Sequence, residues 1–192
     1  VLRSTVPPGT LKECQEIFKE TAQVKSIHMA FNPEFLREGS AIKDYDQPPY
    51  TIIGTNDLEA EEAVRKMYAA VEAPVIVTKP ETAEMVKFVA NTWHAAKVSF
   101  ANEIGRIAQG FGIDGREVMD IIVQDTKLNI SSTYMRPGFA YGGSCLPKDV
   151  SALLYCARMM DMPVPLLQAI PLTNNLQIEL LAQRVLGSRV RR

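Results

Sequence analysis

The spacing of apolar positions changes character once along this chain, close to residue 78, and so predicts two architectures in succession. Before that point, short apolar or β-branched runs at Val1–Thr5, Ser26–Phe31, Tyr50–Gly54 and Pro74–Thr78 alternate with helix-period segments at Pro8–Thr21 and Asp57–Val71. Strands alternating with helices of this length predict a parallel or mixed sheet with helices against its faces. Proline opens the first of these helices and aspartate the second, both ordinary start signals.

After residue 78 the pattern is almost continuously helical. Pro80–Gly112 repeats its apolar residues at helical period with no proline inside, which predicts a rod of roughly 50 Å. The average globular helix has about 11 residues, so such a rod either spans a domain or packs against its own copy in a dimer. Asp114–Gln124, Asp149–Met160 and Pro165–Leu186 follow as helices, the last interrupted or bent at Pro171. Asp125–Leu146, rich in Ser, Tyr, Gly and Pro, separates the first two of these, and loops that long inside a domain usually carry function. The expected fold is therefore α/β over residues 1–78, with a partial sheet, and all-helical over 79–192.

Composition leaves this picture intact and excludes some functions. The 192 residues are 46% hydrophobic and 22% charged with a formal net charge of -1, an ordinary globular balance that can bury a core. Without a Lys/Arg block, neither nucleic acid nor an anionic membrane is the expected partner. No apolar run approaches roughly 18 residues and no basic-then-apolar leader is present, so neither a membrane span nor a signal peptide is predicted. Cys14, Cys145 and Cys156 are too widely spaced for a disulfide framework or a zinc site, which points to a reducing cytoplasm and no bound metal. The chain opens on Val1 in a strand pattern and stops in the basic stretch Gly187–Arg192, so a piece of a longer protein is expected. No Gly-x-Gly-x-x-Gly turn joins strand to helix, so the half of such a domain that holds a dinucleotide pyrophosphate is expected to be missing.

Four segments carry candidate chemistry. In Tyr141–Val150, Cys145 follows Gly142 and Gly143, whose backbones can take positive φ and approach a ligand closely. Pro147 suits the first turn of the helix that follows. A thiol at the positive end of a helix is well placed as a nucleophile, although a cysteine standing alone is more often a small buried apolar residue. On the long helix, Lys87, Asn91, His94, Val98 and Asn102 fall within an arc of roughly 80°. An amine, two amides and an imidazole on one stripe suit a sugar or a developing alkoxide, the alternative being the wet side of a buried rod.

The third segment, Phe31–Ala41, follows the second predicted strand, at the sheet end where α/β ligands bind. Glu34 and Glu38 share one side if it turns helically, and could supply a general base and a hydroxyl ligand. The alternative is an acidic turn opened by Asn32-Pro33. Fourth, Tyr134, Arg136, Phe139 and Tyr141 surround Pro137-Gly138, and aromatic rings with an arginine suit a sugar and a phosphate.

These motifs in this order resemble the nucleotide-sugar 6-dehydrogenases, the UDP-glucose/GDP-mannose dehydrogenase family. The resemblance runs from Val1 to about Leu186 and rests on Arg3–Thr10, Asn32–Gly39, Lys87 with Asn91, and Gly142–Asp149. Asn91–Val98 and Tyr134–Phe139 look most like the GDP-mannose branch, with Thr133 departing where a tyrosine is expected. The resemblance implies a Rossmann-like NAD domain, a helical central dimerisation domain, and oxidation of a sugar C6 alcohol to a carboxylate with two NAD per turnover. It implies that Lys87, Asn91 and Asp149 stabilise an alkoxide or an ordered water, that Cys145 forms a thiohemiacetal and then a thioester, and that Glu34 activates the hydrolytic water. It further implies that Glu38, Lys87, Asn91, His94, Asn102, Tyr134, Arg136, Phe139 and Gly142 hold the sugar nucleotide, while Thr5 and Lys148 face NAD. A homodimer through the long helix, with Asn129–Arg136 reaching the partner's site, completes the expectation. UDP-glucose as substrate, a two-electron hydroxyacid dehydrogenase with the Lys/Asn pair and no thiol, and a non-catalytic dimerisation piece remain alternatives. The isolated 192 residues are expected to be inactive.

Overall fold

The computed structural model describes residues 1–21, 26–135 and 137–190. The chain divides into two compact units, Val1–His94 and Ala95–Arg192. In chain order the elements are α1 (Thr10–Thr21), α2 (Ala41–Asp46), β1 (Thr51–Gly54), α3 (Leu58–Met67), β2 (Val75–Thr78), α4 (Pro80–Gly110), α5 (Gly115–Ile122), α6 (Cys145–Met159) and α7 (Pro165–Val190). This is the α/β region with a small parallel sheet, followed by helices, that the periodicity predicts.

In the first unit β1 and β2 pair in parallel, Thr51 with Val75 through Gly54 with Thr78, joined by α3 as a crossover. Asp57 caps α3, its carboxylate accepting the N–H groups of Glu59 and Ala60. Successive residues of β1 face opposite ways. Ile53 packs with Ala30, Ala60, Val64 and Tyr68 on the α3 side, and Ile52 with Leu11, Phe31 and Ala83 on the side of α1 and α4. Gly54 lets α4 come this close: a Cβ there would stand 2.5 Å from the Ala83 Cβ and 3.1 Å from the Pro80 Cα.

The predicted strands Val1–Thr5 and Ser26–Phe31 are not regular strands. Leu2 and Phe31 meet in one parallel bridge, Leu2 N–H donating to Ala30 and Asn32 N–H to Leu2, each at 2.9 Å. Phe31 and Gly54 exchange both of their backbone hydrogen bonds. Pairing stops there because Pro33 has no N–H to extend it, and the Asn32 amide turns to the Ile52 carbonyl at 2.8 Å. Helix α2 was not foreseen; at six residues it is too short to show a period.

In the second unit Ile107, Ala157, Val164 and Leu167 form the core shared by α4, α6 and α7. Helix α7 runs through Pro171 without the expected interruption. Pro171 removes one hydrogen bond, while Leu167 and Ile170 just before it are packed on that core. Helix α6 begins at Cys145, four residues earlier than predicted, with Ser144 as its cap position. Among the described residues no helix is long and apolar enough to cross a membrane.

Two buried glutamates of α4 each fasten the start of another helix. In the first unit Glu84, 0% exposed, accepts the N–H groups of Gly9 at 2.6 Å and Leu11 at 2.8 Å. In the second, Glu103, 4% exposed, accepts those of Leu166 and Leu167 at 2.9 Å each. Both satisfy N–H groups that a helix start leaves without partners.

Candidate active site

One turn beyond Glu84, Lys87 is buried, and the fold gives its ammonium three partners. It donates to the Glu34 backbone carbonyl, lies 3.1 Å from the Glu34 Oε1 and stands 5.3 Å from the centre of the Phe35 ring. A buried ammonium is tolerable only with such compensation. The Glu34 carboxylate also accepts the Leu36 N–H at 2.8 Å. Burial pulls the Glu34 carboxyl upward, but the Leu36 N–H, the Lys87 ammonium and the Arg3 charge outweigh it and hold the group below the ordinary glutamate value.

The helical juxtaposition expected of Glu34 and Glu38 does not form. Residues 32–37 are irregular and 38–40 make a turn, with Gly39 at φ 81. The Glu34 carbonyl, which in a helix would accept the Glu38 N–H, accepts Lys87 instead. Asn32 at one end of the segment is locked between the Tyr68 hydroxyl, at 2.6 Å, and the Ile52 carbonyl. Arg37 at the other is tied to Asp44 by its backbone N–H, its Nε and its Nη2 at 2.7–3.0 Å. These contacts with Arg37 hold the Asp44 carboxyl well below the usual carboxylate range. Glu38 itself is exposed.

A cavity of about 520 Å³ opens beside this segment, lined by Glu34, Arg37, Tyr45, Tyr50, Trp93 and His94 among others. Arg3 also lines it, with an Nε that is buried and has no hydrogen-bond partner among the described residues. The guanidinium groups of Arg3 and Arg37 are matched in the lining by the carboxylates of Glu34 and Asp44, and with the imidazole and several aromatic rings they give this hollow the character of a site for a polar molecule. Asn91, one turn beyond Lys87 on α4, is exposed, as is Thr5 at the far end of the Leu2 segment.

In the second unit Cys145 is exposed and opens α6. Its sulfur lies 3.8 Å from the Ser144 hydroxyl. Gly143 takes φ 78, so one of the two glycines, not both, uses the left-handed conformation. Asp149 follows Cys145 by four residues and so shares its helix face; it is exposed and 3.4 Å from the Lys148 ammonium. Asn102 and Gly142 are exposed, as are Tyr134 (88%), which has φ 64, and Phe139 (77%). Arg136 lies outside the described residues. Among the described residues no group of three or more His, Cys, Asp or Glu is gathered as a metal would need.

Sequence reasoning missed the residues that hold these segments in place. Asn174 on α7 pairs with both backbone groups of Tyr141, at 2.8 and 3.0 Å, and Gln177, one turn on, donates to the Gly138 carbonyl at 2.6 Å. The two amides, three residues apart in a predicted helix, were the available signal. Glu84 and Asp44 were equally unmarked, because a single carboxylate in a helical pattern reads as surface.

Two family models match the chain in succession. Residues 1–72 match the UDP-glucose/GDP-mannose dehydrogenase family, NAD binding domain, and residues 81–176 the central domain of that family. GDP-mannose 6-dehydrogenase of Pseudomonas putida is 51% identical over 183 residues, 93% of this chain and 42% of that protein. UDP-glucose 6-dehydrogenase TuaD of Bacillus subtilis is 39% identical over 178 residues, 92% and 38% respectively. The crystal structure of a ternary complex of GDP-mannose dehydrogenase from Pseudomonas aeruginosa superposes with a TM-score of 0.92 at 48% identity, covering 96% of this chain and 43% of that one. The chain thus spans about 42% of the length of the GDP-mannose relatives it matches.

Proposed function

Since the chain belongs to the UDP-glucose/GDP-mannose dehydrogenase family, we propose that its parent protein is an NAD-dependent dehydrogenase oxidising the C6 alcohol of GDP-mannose to the carboxylate of GDP-mannuronate. The observation that carries this reading is the buried Lys87 ammonium held against Glu34 on α4, in a chain 51% identical to a GDP-mannose 6-dehydrogenase. The lower identity to the UDP-glucose enzyme supports GDP-mannose over UDP-glucose as substrate.

Thr5 and Glu34 both follow segments paired in parallel, and ligands of α/β sheets gather beyond those carboxyl ends. That arrangement fits NAD beside Thr5, with Lys148 as a further contact. NAD+, when bound, accepts one hydride at each of two oxidation levels. Lys87, with Asn91 and Asp149, stabilises the alkoxide as the C6 hydroxyl loses its proton. The Cys145 sulfur then adds to the C6 aldehyde, giving a thiohemiacetal whose second hydride leaves to form a thioester. Water, activated by Glu34, cleaves the thioester to the carboxylate and frees the thiol. Glu38, His94, Asn102, Tyr134, Arg136, Phe139 and Gly142 are the proposed contacts to the sugar nucleotide.

The proposed assembly is a homodimer through α4, supported by Met85, Phe88, Val89, Trp93, Val98 and Phe100, which are 38–62% exposed on that helix. Light scattering on the full-length protein should give twice the chain mass, and a monomer would remove this part of the reading. The proposed compartment is the reducing cytoplasm, supported by three free cysteines.

The decisive experiment supplies the full-length protein with NAD+ and either GDP-mannose or UDP-glucose. Uronate and two NADH per sugar are expected from GDP-mannose, and no acid from Cys145→Ser. Acid formation by that variant at the normal rate would overturn the covalent mechanism, and a preference for UDP-glucose would overturn the substrate.

A further inference from the structure

Glu84 makes no contact with the proposed chemistry, yet it is 0% exposed and both its oxygens are engaged by backbone N–H groups 75 and 73 residues away. We infer that Glu84 is a positioning residue: by holding the Gly9–Leu11 turn against α4 it fixes Thr5 relative to Lys87. This rests on the reading that Thr5 faces NAD and Lys87 the sugar alcohol.

Capping α1 alone would not require this residue. A Ser, Thr, Asp or Asn at the cap position does the same locally. Here Gly9 precedes the helix, at φ 101, its carbonyl accepting the Glu13 N–H, and the carboxylate comes from another element. The cap is therefore also a tether between the α1 start and α4. Charge-assisted bonds to an ionised carboxylate, beside the positive end of a helix, are the stronger kind.

The tether reaches Thr5 through a stiff link. Pro7 and Pro8 lie between Gly9 and Thr5, each with φ confined near -65°. Val6 packs on the cluster that contains Leu11 and Ala83 and is also joined by Val86, so the residues flanking Glu84 take part in gripping the link. A displacement of Gly9 is passed to Thr5 with little slack. Lys87 follows Glu84 by three residues on the same helix face. The loop beside the hydride acceptor and the ammonium beside the alcohol thus share one turn of α4 as their reference.

The test measures KM for NAD+ and for GDP-mannose in the full-length protein, below the unfolding onset of each variant. In Glu84→Gln an amide NH₂ faces an N–H donor, and KM for NAD+ is expected to rise about tenfold. KM for GDP-mannose stays within about twofold. Lower thermal stability with both KM values unchanged, or with both raised alike, would reduce Glu84 to a helix cap and overturn the inference. Pro8→Gly keeps Glu84 and an exposed position but slackens the link, and should raise KM for NAD+ selectively even if Glu84→Gln does not fold. A normal KM for NAD+ in Pro8→Gly overturns the inference as well. Thr5→Val tests the underlying reading separately: no change there removes the cofactor role of Thr5, whatever Glu84 does.

Discussion

The Lys87–Glu34 pair and Cys145 are the two chemically equipped points of this chain, and they are held in opposite ways. Lys87 is buried and gripped at its charged atom, its Nζ meeting a carbonyl, a carboxylate and an aromatic ring. Cys145 is exposed, and what is gripped is the loop before it, through Asn174 and Gln177. A group that must carry a charge out of water needs fixed partners. A nucleophile that must reach a substrate needs access, with its approach set from behind. The difference teaches that, under the proposed function, a buried group and an exposed one can serve one reaction, each held in the way its proposed role requires.

The largest effect expected from breaking this contrast is that of Lys87→Met, which keeps the apolar stem and removes the charge. In the full-length protein kcat should fall about 10²–10⁴-fold, the usual range for a group assisting proton transfer. Stability should fall too, by about 1–3 kcal/mol, because the Glu34 carbonyl and carboxylate lose their common partner. Cys145→Ser, at an exposed position, should shift stability within about 0.5 kcal/mol while ending acid formation. Denaturant titration beside steady-state rates separates the two. If Lys87→Met kept normal turnover and lost only stability, Lys87 would be a structural ion pair and the contrast would collapse.

The same contrast marks what could be read before the fold was known. Helices α3 and α4 were legible because burial on one face leaves a repeating trace in the sequence, and the strands β1 and β2 because each is a short β-branched run. Leu2 and Phe31 carried a strand pattern yet form one bridge, since regular pairing depends on the neighbouring segment and not on local preference. Cys145 was legible through its glycines and Pro147, although the helix starts on the cysteine rather than after it. Glu34 and Glu38 were marked as a pair, but the decisive partner of Glu34 is Lys87, 53 residues away, and no spacing rule reaches that far. The buried carboxylates Glu84 and Glu103 were invisible for the same reason: a lone glutamate in a helix looks solvated until the element it caps is folded against it.

The smallest expected effect lies in pH, and in the first unit Glu34 and His28 show its two signs. Glu34 sits below its ordinary value of 4.5 when folded, so its contacts contribute stability above that pH and lose it as pH falls through the lower, folded value. His28 acts in the other direction. Its hydrogen bond to Asp57, at 2.7 Å, outweighs partial burial and, with the charges of Asp57 and Glu59, raises it above 6.5. The stability it contributes is complete below 6.5 and lost as pH rises through the raised value. Both side chains are partly exposed, at 35% for Glu34 and 40% for His28, so water screens each interaction and the limbs should be shallow. Urea midpoints measured across acidic and mildly alkaline buffers should therefore fall gently at both ends. Glu34→Gln should soften the acid limb, to which Asp44 and Asp57 also contribute, and leave the alkaline limb in place, whereas His28→Gln should remove the alkaline limb and, by taking away the hydrogen bond that does most to hold Asp57 low, weaken the acid limb as well. Cys145→Ser, in the other unit and with an exposed thiol, should leave both limbs as they were; a limb that moved with the cysteine would mean that the two points are not built independently.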